Sequence, residues 1–233
     1  WSSDVCSSDL LAAQDVLLEP LRAAFPGVAL DAEEDTALAG TFPEESRQRD
    51  LIVIDPIDGT LNYSRGSREY AVMGAYLRGG RYEAAVVAFP EYQTLYYALV
   101  NNGCWRMEEG PPFERVRVAD LENLPDEVLL TPRAPRDWDQ RLREAGWTPR
   151  RSHCSAVDAS APATGAACAA VAEHGTDRRR AIGLLLTLEA GGTVRTGGRN
   201  WARRDPGRDD VTKGALVVAA NDDLAARLRR LLT

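Results

Sequence analysis

Two carboxylates and a hydroxyl follow one apolar run in this sequence, and together they could bind a metal ion. Asp55, Asp58 and Thr60 come shortly after residues 51–54, Leu-Ile-Val-Ile. The β-branched run predicts a central strand. Because Pro56 cannot donate a hydrogen bond to a sheet, we expect the strand to end at Asp55. Asp55 and Asp58 then lie near each other, and two such anions repel unless a cation lies between them.

The ligand type limits the identity of that cation. No Cys or His lies near this segment, and hard oxygen ligands favour Mg²⁺ or Mn²⁺ over Zn²⁺. Gly59 allows a tight turn and the close approach of a bound ligand. The alternative is an ordinary strand that ends in an Asx-Pro turn, which Asp-Pro or Asp-Gly alone would indicate. The complete segment 55–62 favours the metal site.

That segment, Asp-Pro-Ile-Asp-Gly-Thr-Leu-Asn, resembles the signature of the inositol monophosphatase family, whose members are Mg²⁺-dependent, lithium-sensitive phosphatases. The resemblance extends from near Leu11 to the C-terminus. Further matches follow in the family's order: Ala32-Glu33-Glu34, Leu188-Glu189-Ala190-Gly191-Gly192, Thr196-Gly197-Gly198 and Val217-Val218-Ala219-Ala220-Asn221. The residues alone indicate no more than a divalent-metal site that is compatible with phosphate chemistry.

The resemblance implies a set of metal ligands and a cofactor, Mg²⁺, with Mn²⁺ as an alternative. Glu33, Asp55 and the backbone carbonyl of Ile57 would hold one metal ion, and Asp55 and Asp58 would reach a second. Glu33 and Thr60 would be catalytic, with Thr60 orienting the attacking water. Taken alone, the acidic pair that contains Glu33 is a solvated charge, since charged residues usually lie at the surface.

A substrate-binding group is also implied by the resemblance. The backbone amides of Gly59 and Thr60 would meet the phosphate, and a helix N-terminus at Thr60 would favour an anion there. Asp58 belongs to the same group. Ser155 and Ala156 complete it, because they match part of the family's Gly-Ser/Thr-Ala segment.

Three departures from the family pattern bear on this site. Cys154 stands where the family has the glycine of that segment. The family's aspartate just before the first helix falls at Leu10, with Asp9 one residue away. Where the family has Trp-Asp shortly before Glu-Ala-Gly-Gly, this sequence has Arg178-Arg179.

The two arginines put the second metal position in doubt. A guanidinium group stays protonated and repels a metal ion, and Asp177 is the nearest carboxylate. Three explanations stay open: Asp177 takes the ligand position, the region carries a sequencing error, or this copy of the enzyme is impaired.

The composition is typical of a globular protein, with 233 residues, 44% hydrophobic, 27% charged and a net charge of −7. Such a length allows a substantial core. The acidic balance argues against nucleic-acid binding, no apolar run is long enough for a membrane span, and the cysteine spacing indicates reduced thiols in a cytoplasm. We expect a cytoplasmic protein that binds a small phosphorylated metabolite, and the resemblance implies a homodimer.

Residues 1–10 resemble the in-frame translation of a short-read sequencing adapter. Their Ser and Asp content lacks the hydrophobic periodicity of the helix that follows, so they are left out of the fold prediction. We expect the native gene to begin further upstream, in which case Cys6 is not a native cysteine.

The remaining sequence predicts a mixed series of helices and strands. Helices are expected at 11–25 with an interruption at Pro20, 138–145, 156–173 with an interruption at Pro162, 181–190 and 224–232. Strands are expected at 28–30, 51–55, 71–77, 83–89, 94–99, from 104, at 128–131 and at 217–220, and those from 71 to 99 form an antiparallel meander. Residues 36–50 are expected to form a loop.

This order suits a layered α/β fold. The resemblance refines it to an αβαβα sandwich in which an N-terminal half, 11–125, carries the metal site. A C-terminal half, 126–233, would complete one compact unit.

The predicted function is a Mg²⁺-dependent phosphomonoesterase that acts on a small polyol phosphate, inositol 1-phosphate by default. Histidinol phosphate or a 3′-phosphoadenosine nucleotide are alternative substrates. The alternative from another class is a catalytically silent homologue that binds metal or forms a dimer. His153 and His174 stand in polar contexts, so we expect surface positions for them and no catalytic role. The sequence contains no Ser/His/Asp arrangement.

Overall fold

The computed structural model describes residues 3–46, 50–118, 125–197, 199–201, 203 and 214–232. The structure contains two mixed β-sheets and six α-helices among these residues. Across the described ranges, no helix combines the length and the apolar character that a membrane crossing needs.

The first sheet has seven strands, which lie side by side in chain order. Its first two strands are parallel and every later neighbour is antiparallel. The predicted meander is therefore confirmed. The strands are β1 (Ala29–Asp31), β2 (Leu51–Asp58), β3 (Ala71–Arg78), β4 (Arg81–Phe89), β5 (Thr94–Leu99), β6 (Gly103–Glu108) and β7 (Glu114–Val116).

Strand β2 does not end at Asp55, so that prediction is wrong. Asp55 pairs with Met73 and Asp58 pairs with Ala71, so two residues of β2 face one residue of β3. This is a β-bulge, which removes Pro56 from the ladder without ending the strand. The bulge sets Asp55 and Asp58 on either side of a local bend at the sheet edge.

The second sheet has six strands in the order β12-β11-β13-β10-β8-β9. Strands β8, β9 and β10 are mutually parallel, whereas β13 runs antiparallel to both β10 and β11. The strands are β8 (Glu127–Leu130), β9 (Thr148–Arg150), β10 (Ala169–Ala172), β11 (Thr193–Thr196), β12 (Arg199–Asn200) and β13 (Leu216–Ala219).

Helices cover both sheets and fill the space between them. Helix α1 packs on β2, α4 and α5 lie between the two sheets, and α3 and α6 pack on the far side of the second sheet. The layer order is the predicted αβαβα sandwich. The helices are α1 (Ser3–Ala24), α2 (Thr60–Ser64), α3 (Arg136–Glu144), α4 (Ser155–Thr164), α5 (Arg178–Glu189) and α6 (Asp222–Leu232).

The alanine-rich segment 156–173 is not one helix, contrary to the prediction. Helix α4 ends at Thr164 and is followed by Gly165 at φ 78°. Residues Ala169–Ala172 then form the buried strand β10 between β8 and β13. Alanine suits a helix and also a strand that is packed on both faces, so composition does not distinguish the two.

Helix α1 also differs from the prediction, because it starts at Ser3 and passes through Pro20 without ending. Within its first turns, the carboxylate of Asp9 accepts a hydrogen bond of 2.9 Å from the hydroxyl of Tyr63 in α2. The origin of residues 1–10 stays a prediction.

The two central helices cross at very short range. A Cβ atom on Gly183 of α5 would lie 2.7 Å from Cβ of Ala159 in α4. Only glycine allows this approach, which fixes the position of the α4 N-terminus relative to that of α5. Both N-termini face the end of β2.

Candidate active site

Asp55 lies at the centre of the candidate site and is almost fully buried, with 3% of its surface exposed. Its Oδ1 accepts a hydrogen bond of 3.1 Å from the backbone N–H of Ile57. Burial, followed by the negative charge of Asp58 and a hydrogen bond with Glu33, raises the pKa of Asp55 to about 9, and the nearby charge of Arg179 opposes this. The three predicted carboxylates therefore act on one another.

Asp58 faces the N-terminus of α4. Its Oδ2 accepts hydrogen bonds from the backbone N–H of Ala156 at 2.6 Å and from the thiol of Cys154 at 2.9 Å. Its Oδ1 accepts one of 2.8 Å from the hydroxyl of Ser155. Burial raises the pKa of Asp58, while these donors oppose the increase. Asp58 thus joins β2 to the substrate-binding pair predicted at 155–156.

The turn between β2 and α2 brings Ile57, Gly59 and Thr60 together. Gly59 has φ 85°, a conformation that favours glycine. A Cβ there would lie 3.1 Å from Cβ of Cys154, so this glycine is also needed for the approach of the two segments. The hydroxyl of Thr60 donates to the carbonyl oxygen of Ile57 at 3.2 Å.

Asp177 caps α5 instead of entering the carboxylate group. Its Oδ1 accepts a hydrogen bond of 2.8 Å from the backbone N–H of Arg180, and its side chain is on the surface. This is the usual arrangement of an N-cap aspartate.

The double arginine at the start of α5 is held by acidic partners. Arg178 donates to Asp31 at 2.6 Å and makes two hydrogen bonds to Glu45, at 2.7 and 2.8 Å. Arg179 lies 3.4 Å from the other oxygen of Asp31. Because Arg179 acts on Asp55, a fixed positive charge lies beside the buried carboxylates.

The donor types expected at the first metal position suit Mg²⁺, whereas the charge of Arg179 disfavours a second ion. Glu33, Asp55 and the carbonyl of Ile57 offer hard oxygen donors of the kind that Mg²⁺ prefers. Asp58 already accepts hydrogen bonds from Ser155 and Ala156, and Arg179 supplies positive charge near Asp55. In the part of the chain that the structure describes, no three His, Cys, Asp or Glu side chains are grouped so that they could hold a metal ion. The assignment of metal ligands stays a prediction.

Sequence reasoning missed three participants. Asp31 and Glu45 partner the arginines, and Asn62 donates to the carbonyls of Glu69 and Ser152 at 2.7 and 2.6 Å. Asp31 gave a local signal, because it directly follows the predicted strand 28–30 and lies two residues before Glu33. Asn62 closes the segment 55–62, whereas Glu45 follows from no local pattern.

Comparison with known proteins decides the family. The sequence matches the inositol monophosphatase family over residues 2–233. The chain belongs to the inositol monophosphatase family. The resemblance inferred from segment 55–62 is confirmed.

Relatives carry two kinds of name. The chain is 29% identical over 231 residues to "Nus factor SuhB" of Xylella fastidiosa, covering 94% of this chain and 78% of that protein. It is 27% identical over 233 residues to "Inositol-1-monophosphatase" of Caulobacter vibrioides, covering 96% and 85%. The family therefore connects this chain to a phosphatase and to a protein named for another role.

The fold is shared with solved structures. The extragenic suppressor protein suhB from Bartonella henselae superposes with a TM-score of 0.75 at 22% identity, over 99% of this chain and 90% of that chain. This similarity establishes the fold, and the predicted layered sandwich is confirmed.

Proposed function

We propose that this member of the inositol monophosphatase family is a Mg²⁺-dependent phosphomonoesterase that hydrolyses a small polyol phosphate, with inositol 1-phosphate as the first candidate. The observation that carries the proposal is the position of Asp55 and Asp58 on either side of the bulge in β2, with Asp58 bonded to the N-terminus of α4. Buried carboxylates that repel one another form a favourable place for a divalent cation.

Each residue has a proposed task in the reaction. Glu33, Asp55 and the Ile57 carbonyl would hold Mg²⁺, with Mn²⁺ as an alternative. Bound there, the ion supplies charge neutralisation at the phosphoryl oxygens. Thr60 would hold the attacking water in line, since its hydroxyl already lies at the Ile57 carbonyl. Glu33 is more exposed than Asp55, and it would accept the proton of that water.

The α4 N-terminus supports binding of the phosphorylated substrate. Ser155 and Ala156 present a hydroxyl and a backbone N–H to Asp58, and the backbone amides of Gly59 and Thr60 lie on the adjoining turn. Backbone N–H groups at such a place favour a dianion. The hydroxyl groups of the leaving alcohol would meet Asp58 and Ser155.

A panel of phosphate esters tests the proposal. The 233-residue chain is incubated with Mg²⁺ or Mn²⁺ and inositol 1-phosphate, histidinol phosphate or 3′-phosphoadenosine 5′-phosphate, and released phosphate is measured. Asp55→Asn should lower the rate by on the order of a hundredfold or more, because it removes the buried ligand. Asp137→Asn, a surface member of an ion pair in α3, is the matched control and should retain full rate. Release of phosphate from none of the esters would refute the proposal.

A second candidate function is a catalytically silent homologue that binds metal or forms a dimer. The observation that favours it is Arg179, a permanent cation beside Asp55. A relative that is named as a Nus factor shares most of the chain length. This candidate predicts Mg²⁺ binding by calorimetry without hydrolysis of any ester, and re-reading the gene at codons 178 and 179 would remove its main support if Trp-Asp were found.

The predicted partners follow from the same reasoning. A net charge of −7 supports a small phosphorylated metabolite over a nucleic acid. The cytoplasmic location and the homodimer stay predictions that rest on the cysteine pattern and on the family. Sedimentation at low micromolar concentration that showed only monomer would contradict the homodimer.

A further inference from the structure

We propose that Arg179 is a built-in cation of this site, which takes the place of a second metal ion and binds the phosphate of the ligand through its guanidinium fork. The proposal rests on the phosphatase function above and adds a binding residue to it. It makes Arg179 a working part of the site.

The position of Arg179 is fixed from two sides. It lies in the first turn of α5, which Asp177 caps, and its guanidinium lies 3.4 Å from Asp31 at the end of β1. Strand β1 pairs with β2 in parallel, with Asp31 opposite Val53, two residues before Asp55. The guanidinium therefore lies beside the acidic end of β2.

Arg179 has donors to spare, unlike its neighbour. Arg178 is only 13% exposed and makes three hydrogen bonds to Asp31 and Glu45. Among the described residues, Arg179 has a single long contact to Asp31 and an Nε that finds no acceptor. A guanidinium carries five N–H donors, so most of those on Arg179 are free of protein acceptors in the described chain.

The chemistry of the group suits a phosphate. Guanidinium stays charged at any working pH and presents paired N–H groups that match two phosphoryl oxygens. Such a cation stabilises the charge of a transferring phosphoryl group as a metal ion does. The Arg179 side chain is 31% exposed although its Nε is buried, so a ligand would approach the outer edge of the guanidinium.

Measuring phosphate binding in the absence of metal distinguishes the role of Arg179 from that of Mg²⁺. Inorganic phosphate is titrated calorimetrically into the protein in excess EDTA. The unmodified chain should bind it, and Arg179→Gln should weaken binding by roughly tenfold or more, which corresponds to about 1.4 kcal/mol. Arg179→Lys keeps the charge without the fork and should fall between the two. Arg195→Gln, which removes a surface partner of Asp222, should bind as the unmodified chain does.

Two results would overturn the inference. One is equal phosphate affinity in the unmodified chain and the Arg179 variants, including absence of binding in all of them. The other is two Mg²⁺ binding events in the unmodified chain. Urea unfolding of each variant checks that it is folded. If Arg179→Gln is unfolded, the phosphate affinity of Arg179→Lys tests the inference by itself.

The outcome is independent of the proposed hydrolysis. Phosphate binding that depends on Arg179 in a chain that hydrolyses no ester would support this inference and refute the phosphatase. Ester hydrolysis together with a phosphate affinity that is unchanged in the Arg179 variants would support the phosphatase and refute this inference.

Discussion

At the scale of single residues, Asp55 and Arg179 bring opposite charges into one site. The carboxyl of Asp55 is buried and its pKa is raised to about 9, mainly by burial, while Arg179 favours its charged form. A divalent ion and a guanidinium compete for the same carboxylates. The identity of residue 179 should therefore set how many metal ions the site accepts.

Reversing the charge at residue 179 tests that competition. Arg179→Asp should add a second Mg²⁺ binding event in calorimetry and raise the hydrolysis rate, because a carboxylate then replaces the guanidinium near Asp55. Arg199→Asp makes the same change of net charge at an exposed position and should leave one event. Asp58→Asn should lower the metal affinity. Failure of Arg179→Asp to add an event would show that residue 179 does not control the second metal position.

A second buried acid, Asp158 in α4, predicts a pH dependence of stability to which the charge of Asp58 also contributes. Asp158 is 5% exposed, and burial raises its pKa from 3.8 to about 7, although a hydrogen bond from Ser152 and the charge of Arg180 oppose this. The folded chain therefore holds a proton that the unfolded chain releases between these values. Its contribution to stability is fully present below pH 3.8 and is lost as the pH rises towards 7.

Urea unfolding measures this loss. From about pH 5 to pH 7, the stability of the unmodified chain should fall relative to that of Asp158→Asn by about 1 kcal/mol per pH unit. Asp139 is the control, because its hydrogen bond from Arg151 lowers its pKa and its contribution is constant above pH 5. Parallel pH profiles for the unmodified chain and Asp158→Asn would contradict the prediction.

At the scale of elements, the crossing of α4 and α5 positions both halves of the site. Helix α4 places Ser155 and Ala156 against Asp58, and α5 places Arg179 near Asp55. The crossing depends on the absence of a Cβ at Gly183. A side chain there would move one N-terminus relative to the other.

Gly183→Ala should destabilise the protein and disturb the site together. The new Cβ would lie 2.7 Å from that of Ala159, and overpacking of this kind costs about 1–3 kcal/mol. Gly27→Ala is the matched control, since no atom lies within 4 Å of its Cβ position. Adding Ala159→Gly should restore part of the loss. Equal urea midpoints for Gly183→Ala and Gly27→Ala would show that the helices can separate freely.

At the scale of the whole molecule, a few polar contacts join the two sheets near the site. The amide of Asn62 bridges the carbonyls of Glu69 and Ser152, and Arg150 pairs with Glu69 at 2.5 Å. These contacts connect segments that lie before and after the predicted division at residue 125. That division, and the expectation of one compact unit, stay predictions.

Loss of the hydrogen bonds from Asn62 should lower the free energy of unfolding of the whole protein. Asn62→Ala leaves two carbonyls without their donor, one of them buried, which costs about 1–3 kcal/mol. Asn102→Ala, at an exposed turn, should change stability by less than about 0.5 kcal/mol. Far-UV circular dichroism and tryptophan fluorescence should report one shared unfolding transition. Separate transitions for the two probes would show that the halves unfold independently.

The sequence by itself determined the parts of this protein that depend on neighbours in the chain. Segment 55–62 identified the family, because its chemistry is contained in one turn. The meander from 71 to 99 was also readable, since alternation of apolar residues reports directly on a strand. The strand boundary predicted at Pro56 was wrong because a β-bulge places this residue, which has no N–H donor, outside the ladder.

Tertiary structure decided everything that joins distant residues. Whether 169–172 is helix or strand depended on the two strands that flank it, because alanine fits both. Asp58 found its donors 96 to 98 positions away on α4, and Arg178 found Asp31 147 positions away. No local pattern encodes such pairs, since they exist only once burial of the apolar faces has stacked the two sheets around α4 and α5.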